Sequence, residues 1–225
     1  MHMVKEPEAV YEADCNAGYD LDTLSELINV SGRQRMLSQR LSFLIMAGKN
    51  GLVGPVDETF KLFETSHKLL KSGSEQFPKP ASGSALYEYF FGARQADRAI
   101  SEFISFAKDI FHGRSSDIQR FFEISTTQIV PLLNEAVSIY QSMSHDASQR
   151  ISEKMDSNTK SLINTLEEVK NIHKRIKIIS VNASIVASQA GDHGDAFNVV
   201  VSEIRTMAGG IHGLVEEGLA SLKSK

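Results

Sequence analysis

Apolar residues along this chain recur at three- and four-residue steps for almost its whole length, the pattern of helices with one buried face. The first run extends from about Asp20 to Ala47 and stops at Gly48, with Gly51 and Pro55 closing the loop. A second starts near Val56 and sets Phe60, Phe63, His67 and Leu70 on one stripe, ending before the breaker-rich segment 73–83 that includes Pro78 and Pro80. A third is predicted over Ser84–Phe111, with Leu86, Phe90, Ala93, Ala96, Ile100, Phe103, Ile104 and Phe106 as core. Gly113 ends it, and Ser115 or Ser116 offers a cap for the next helix. From there to Ala190 only Pro131 interrupts the pattern, and its missing N–H should kink or restart the helix.

Beyond Pro131 the apolar residues thin to a narrow seam: Leu162, Leu166, Val169, Ile176, Ala183, Val186 and Ala190. Such spacing suits a coiled coil rather than a wide globular face. Gly191-Asp192-His193-Gly194 breaks it, and Phe197, Val200, Ile204, Met207, Ile211 and Leu214 follow at strict 3–4–3–4–3 spacing. Two heptad runs around a Gly-flanked turn predict an antiparallel hairpin. The fold class expected is all-α: an antiparallel four-helix bundle extended into an antiparallel coiled-coil hairpin. Residues 1–19 read as a flexible leader, 20–140 as the bundle, and 141–225 as the hairpin with its tip near 191–194.

Composition narrows the function. A net charge of −4 without a Lys/Arg run argues against a nucleic-acid partner. A lone Cys15 allows no internal disulfide and fits a reducing compartment. The N-terminus lacks an apolar signal region, and the most apolar run, Leu41–Ala47, is far below the roughly 20 residues that cross a bilayer. A soluble, cytoplasmic protein without a membrane partner is expected. None of the seven histidines pairs at the i, i+4 spacing of a helical metal site, so no metal or cofactor is expected. No nucleophile–base pair or phosphate loop stands out, which points away from an enzyme.

The first helix carries two adjacent stripes. Leu27, Val30, Gln34, Leu37, Leu41 and Leu44 should face the bundle core. Leu24, Ile28, Ser31, Arg35, Ser38, Ser42 and Ile45 form a second, apolar at its ends with an arginine framed by serines in its middle. Two interfaces on one helix suggest two partners, the bundle itself and a symmetry mate. At a two-fold axis paired Arg35 side chains would repel unless a small planar anion bridged them by charge-assisted hydrogen bonds. Gly32 leaves space for it, and Ser31, Ser38 or Gln39 could add donors.

The stretch Ile28-Asn29-Val30-Ser31-Gly32-Arg33-Gln34-Arg35-Met36-Leu37-Ser38-Gln39-Arg40-Leu41 resembles the signature of the PilJ-type sensor family, and is similar to the sequence box of nitrate/nitrite sensor kinases. The resemblance implies an antiparallel four-helix input domain that forms a homodimer through this helix. It also implies a nitrate or nitrite site at Arg35, the arginine preceding the methionine.

A second resemblance covers Ile178 to Ala208. Val181-Asn182-Ala183-Ser184, Gln189-Ala190-Gly191-Asp192-His193-Gly194, Phe197-Asn198-Val199-Val200 and Glu203-Ile204-Arg205 look like the hairpin tip of methyl-accepting chemotaxis proteins. That implies contact with a signalling protein, as yet unidentified, through Asn182, Val186, Gln189, Gly191, Asp192, His193, Gly194 and Phe197. The pattern departs at Val186 and Gln189, where those receptors carry the Glu and Arg used in kinase control. Two functions follow from these readings. One is a dimeric sensor relaying oxyanion binding to the hairpin; the other is a ligand-free adaptor or scaffold acting through the hairpin alone.

Overall fold

The computed structural model describes residues 19–49 and 54–223; Cys15, Gly51 and all but the last residue of the expected leader lie outside them. Among the described residues there is no strand. The chain divides into two compact units between Gln149 and Arg150.

In the first unit, helix α1 spans Leu21–Lys49. Its start is set by Asp20, whose carboxylate accepts the Thr23 amide N–H at 2.7 Å. Bonds from Thr23, side chain then backbone, lower the Asp20 pKa. Helix α2, Val56–Ser72, buries Phe60, Phe63, His67 and Leu70 as the stripe foretold. Gly73 stops it: its φ is +69°, and a Cβ there would stand 2.5 Å from the Phe77 carbonyl oxygen.

The third predicted helix is in fact two, α3 (Ala85–Phe91) and α4 (Ala96–Phe111). Ser84 caps α3 by accepting the Tyr87 N–H at 3.0 Å. The break falls at 92–95, where Gln95 takes a left-handed conformation (φ 48°) and Ala93, expected in the core, is exposed. Gly92 allows the turn, because a Cβ there would collide with the backbone and carboxylate of Glu88. Arg94 is swung outward to an ion pair with Glu135. Three- and four-residue spacing carries across this break, so the apolar pattern alone does not reveal it.

Helix α5, Ile118–Ile124, is capped not by Ser115 or Ser116 but by Asp117, which accepts the Arg120 N–H at 3.0 Å. A π-helical turn, Ser125–Ile129, then leads without interruption into α6, Val130–Gln189. Pro131 lies in the first turn of α6. The kink expected of it takes the form of this widened turn, which accommodates a ring that has no N–H to donate.

The long segments α1, α2, α4 and the α5–α6 run are antiparallel neighbours. His67 and Lys71, late in α2, both reach Asp97 at the start of α4. Ser42 and Arg35 on α1 meet Ser125 and Asn134 in that order. Aromatic rings fill the centre: Phe103 stacks on Phe121 with centroids 5.1 Å apart, and Phe63 meets Phe103 edge-on. Burying each such side chain contributes about 1.5–3 kcal/mol. Tyr89, buried among them, donates its hydroxyl to the Leu132 carbonyl at 3.0 Å.

In the second unit, the later part of α6 and helix α7 (Asp195–Lys223) form the arms of a hairpin joined by a 3-10 turn, Gly191–Gly194. Contacts run Ser184 to Asn198, His173 to His212 and Lys170 to Glu216, an antiparallel register. The seam is not the one the spacing predicted. Phe197, Val200, Ile204, Met207, Ile211 and Leu214 are all exposed, Leu214 at 72%. The arms close instead over Ser180, Ala187, Val201, Ala208, Val215 and Leu219. On α6, Leu162, Val186 and Ala190 are exposed, while Leu166, Val169, Ile176 and Ala183 are half-buried. Small side chains let the helices approach closely, and the larger apolar residues are left on the flanks.

Candidate functional site

The arginine-rich motif lies in the middle of α1. Its first stripe behaves as foreseen: Leu27, Gln34, Leu37 and Leu41 are buried. The second stripe does not face outward. Leu24, Ser31, Ser38, Ser42 and Ile45 are buried within the protomer, because the α5–α6 run packs over them. Their hydroxyls are spent locally: Ser31 donates to the Ile28 carbonyl at 2.9 Å, and Ser38 to the Arg35 carbonyl at 2.7 Å. Ser42 bonds the Ser38 carbonyl and shares a 2.8 Å contact with the Ser125 hydroxyl. Back-bonding of this kind satisfies a serine inside a helix bundle without a ligand. Ser31 and Ser38 are therefore turned away from any partner at the α1 surface.

Arg35, Gly32 and Gln39 are placed differently. Arg35 and Gln39 are exposed and Gly32 is half-exposed. A Cβ added to Gly32 would meet nothing within 4 Å. The Arg35 guanidinium donates from Nη1 to Asn134 Oδ1 at 3.0 Å, a neutral acceptor that orients the fork without neutralising its charge. The solvent-facing strip of α1 runs through Ser25, Asn29, Gly32, Met36, Gln39, Phe43 and Met46, with Phe43 63% exposed. Beside it, Gln39, Ser42, Phe43 and Met46 line a groove of about 280 Å³ with Phe122, Ser125, Thr126 and Val130. Asn134 and the π turn were not among the residues singled out from the sequence, and Pro131 is the signal that pointed nearest to them.

A second polar cluster joins α2 to α4. Buried His67 approaches Asp97 Oδ1 with Nε2 at 2.8 Å, and Lys71 donates to the same oxygen at 2.7 Å. Burial lowers the His67 pKa, and the neighbouring Asp97 offsets this only in part. Burial alone would raise the Asp97 carboxyl, but the bonds from Lys71 and His67 outweigh it and hold it below its usual value.

At the hairpin tip Asn182, Val186, Gln189, Gly191, His193 and Phe197 are exposed and Gly194 is buried; the side chain of Asp192 lies outside the description. Both glycines are required there, for different reasons. Gly191 has φ +60°, and a Cβ on Gly194 would stand 2.0 Å from the Ala187 carbonyl oxygen.

The α1 motif and the helix order that presents it correspond to a known module. Residues 20–90 match the PilJ family, the type IV pili methyl-accepting chemotaxis transducer N-term. The PilJ match spans α1 and α2 and ends within α3, so it includes Gly32, Arg35 and Gln39. No curated protein and no solved structure matches the chain. Over that segment the chain is similar to the N-terminal domain of a methyl-accepting chemotaxis transducer. Among the described residues, no helix is long and apolar enough to cross a membrane.

Proposed function

We propose that this protein is a homodimeric sensor in which a small oxyanion, nitrate or nitrite, binds between the α1 helices of two protomers at Arg35. The observation that carries the reading is an exposed guanidinium, oriented by neutral Asn134 and one helical turn from an open glycine, inside the PilJ-matching segment. Two such groups brought together repel, and a planar anion between them replaces repulsion with paired charge-assisted bonds. Gly32 and Gln39 are the accompanying residues; the inward hydroxyls of Ser31 and Ser38 act only through helix packing. The pairing face is the exposed strip containing Met36 and Phe43, apolar side chains that a second copy would remove from water.

The ligand shifts the helix arrangement only by its differential affinity for two states. α6, which holds residues of both units, is the element through which the hairpin is biased. Isothermal titration of the full chain with nitrate and with nitrite tests this. Binding by the wild type that is lost in Arg35→Ala is expected. Equal binding by both, or none by the wild type, overturns it.

A second reading, a ligand-free adaptor, is favoured by one observation: Val186, Phe197, Val199 and Val200 are exposed at the hairpin tip. For an adaptor, a Val186→Ser/Phe197→Ser variant loses its signalling partner while no anion has any effect on either form.

A further inference from the structure

Between α4 and the run of α5 and the π turn lies a second groove of about 280 Å³, to which α1 contributes no residue. Its floor is apolar: Phe103 and Ile129 are buried there, and Phe106 and Ile124 form half-buried walls. Ile124 and Ile129 stand five positions apart, the spacing that the π turn Ser125–Ile129 sets on one face. In an α-helix five positions would turn the second side chain well away from the first. Three polar side chains, Glu102, Arg120 and Gln128, stand around this floor. The Glu102 carboxylate accepts Arg98 Nε at 2.8 Å, so its charge is matched. Further along α4, Lys108 is held by Glu64 and Asp109 by Arg114. Arg120 is different. Asp117 accepts its backbone N–H, but among the described residues no carboxylate forms an ion pair with its guanidinium, Asp117 and Glu123 of its own helix included. The groove thus joins an aromatic floor to one unmatched cation, at the small end of the volumes that hold small molecules.

We propose that this groove is a ligand site for a small aromatic monocarboxylate. The carboxylate takes paired N–H donors from Arg120, whose planar fork matches its two oxygens. The ring packs against Phe103 and Phe106, and Ile124 and Ile129 complete its removal from water. The Gln128 amide supplies one further donor. Glu102 selects against a dicarboxylate, because a second anion would meet it over apolar surface; an amine in place of the carboxylate would be repelled by Arg120. Every group comes from one protomer, so the site does not rest on the α1 dimer or on the anion at Arg35. The π turn runs without interruption into α6, so a ligand seated against Ile124 and Ile129 bears on the helix that continues into the hairpin.

The test is a titration of the full chain, labelled at the isoleucine δ1 methyls, with phenylacetate followed by NMR. Ile124→Val and Ile129→Val assign the two signals. Saturable shifts at both methyls are expected, with a Kd on the order of 0.1–1 mM for a ligand of about ten heavy atoms. Phenylacetamide, which has the same shape without the charge, should bind at least about tenfold more weakly, and so should phenylacetate to Arg120→Gln. Arg120 is exposed, so its replacement leaves the core as it is. Arg35→Ala should bind phenylacetate as the wild type does, and excess nitrate should not displace it, which separates this site from the one on α1. Absence of a saturable shift up to about 10 mM overturns the proposal. So does undiminished binding of phenylacetamide, or of phenylacetate by Arg120→Gln, since the groove would then be an apolar crevice without a carboxylate site. Displacement by nitrate, or loss of binding in Arg35→Ala, overturns it as well.

Discussion

Gly191 and Gly194 sit three positions apart in the hairpin turn, and alanine should damage each through a different mechanism. At Gly191 there is open space, so the cost is conformational: φ +60° is left-handed, and an L side chain there costs about 1–2 kcal/mol. Asparagine tolerates that region, so Gly191→Asn should recover most of the loss. At Gly194 the obstacle is steric. The new Cβ would stand 2.0 Å from the Ala187 carbonyl oxygen and 2.8 Å from its carbon. Those are backbone atoms of the last turns of α6 and cannot swing aside as a side chain would. Either the arms separate or that end of α6 unwinds. Overpacking typically costs about 1–3 kcal/mol, and a backbone collision this close belongs at the upper end. Gly194→Asn should be no better than Gly194→Ala. Hydrogen exchange over 184–200 gives the local opening free energy directly, whereas a global melt mixes the two units. Unchanged protection in Gly194→Ala would refute the steric argument. Gly191→Asn losing as much as Gly191→Ala would refute the conformational one.

Other perturbations read different parts of the molecule. The His67 pKa is lowered on folding, so the unfolded chain binds its proton more readily, and the stability this represents is present above pH about 6.5 and lost as the pH falls toward the folded value. Asp97, also lowered, acts in the same direction at lower pH: its contribution is present above about pH 4 and lost as the pH falls through its folded value. Urea unfolding at pH 7.5 and 5.5 should show a smaller acid loss in His67→Gln than in the wild type; equal losses would contradict the assignment. Ser42→Ala and Ser125→Ala each strip a partner from a buried hydroxyl pair and should cost about 1–2 kcal/mol, with the double variant costing less than the sum. Strict additivity in that cycle would show that the two hydroxyls do not interact. Ile204→Glu/Ile211→Glu alters only the exposed stripe of α7 and should leave helicity intact while weakening self-association in sedimentation. A wild type that associates and a variant that associates equally would remove this stripe from any dimer face.

Much of the fold could be read in the sequence because helix formation and its termination are local. The stripe of α2, the stop at Gly73 and the hairpin turn at 191–194 each follow from side chains within a turn or two of one another. Where the chain departs from that reading, the cause is distant. α3 and α4 separate because Gly92 lets the chain fold back and Arg94 finds Glu135, a residue on another helix. The cap at Asp117, by contrast, is a local departure, its carboxylate rather than either serine hydroxyl reaching the Arg120 amide three residues on.

The candidate site shows the same division. Sequence by itself determined that α1 is a helix, that its motif resembles PilJ, and that Arg35 and Gly32 lie one turn apart. Tertiary structure decided which side of α1 faces out. Periodicity reports that a helix has two apolar stripes, but burial depends on what packs against each. The α5–α6 run covers Ser31, Ser38 and Ser42, leaving Gly32, Met36, Gln39 and Phe43 in the open. The hairpin repeats the lesson: spacing marked Phe197 through Leu214 as an interface, but close approach of the arms selected the neighbouring stripe of Val201, Ala208 and Val215. A heptad fixes the angle between residues on one helix; only a second helix, by the volume it leaves, determines which of those angles becomes the inside.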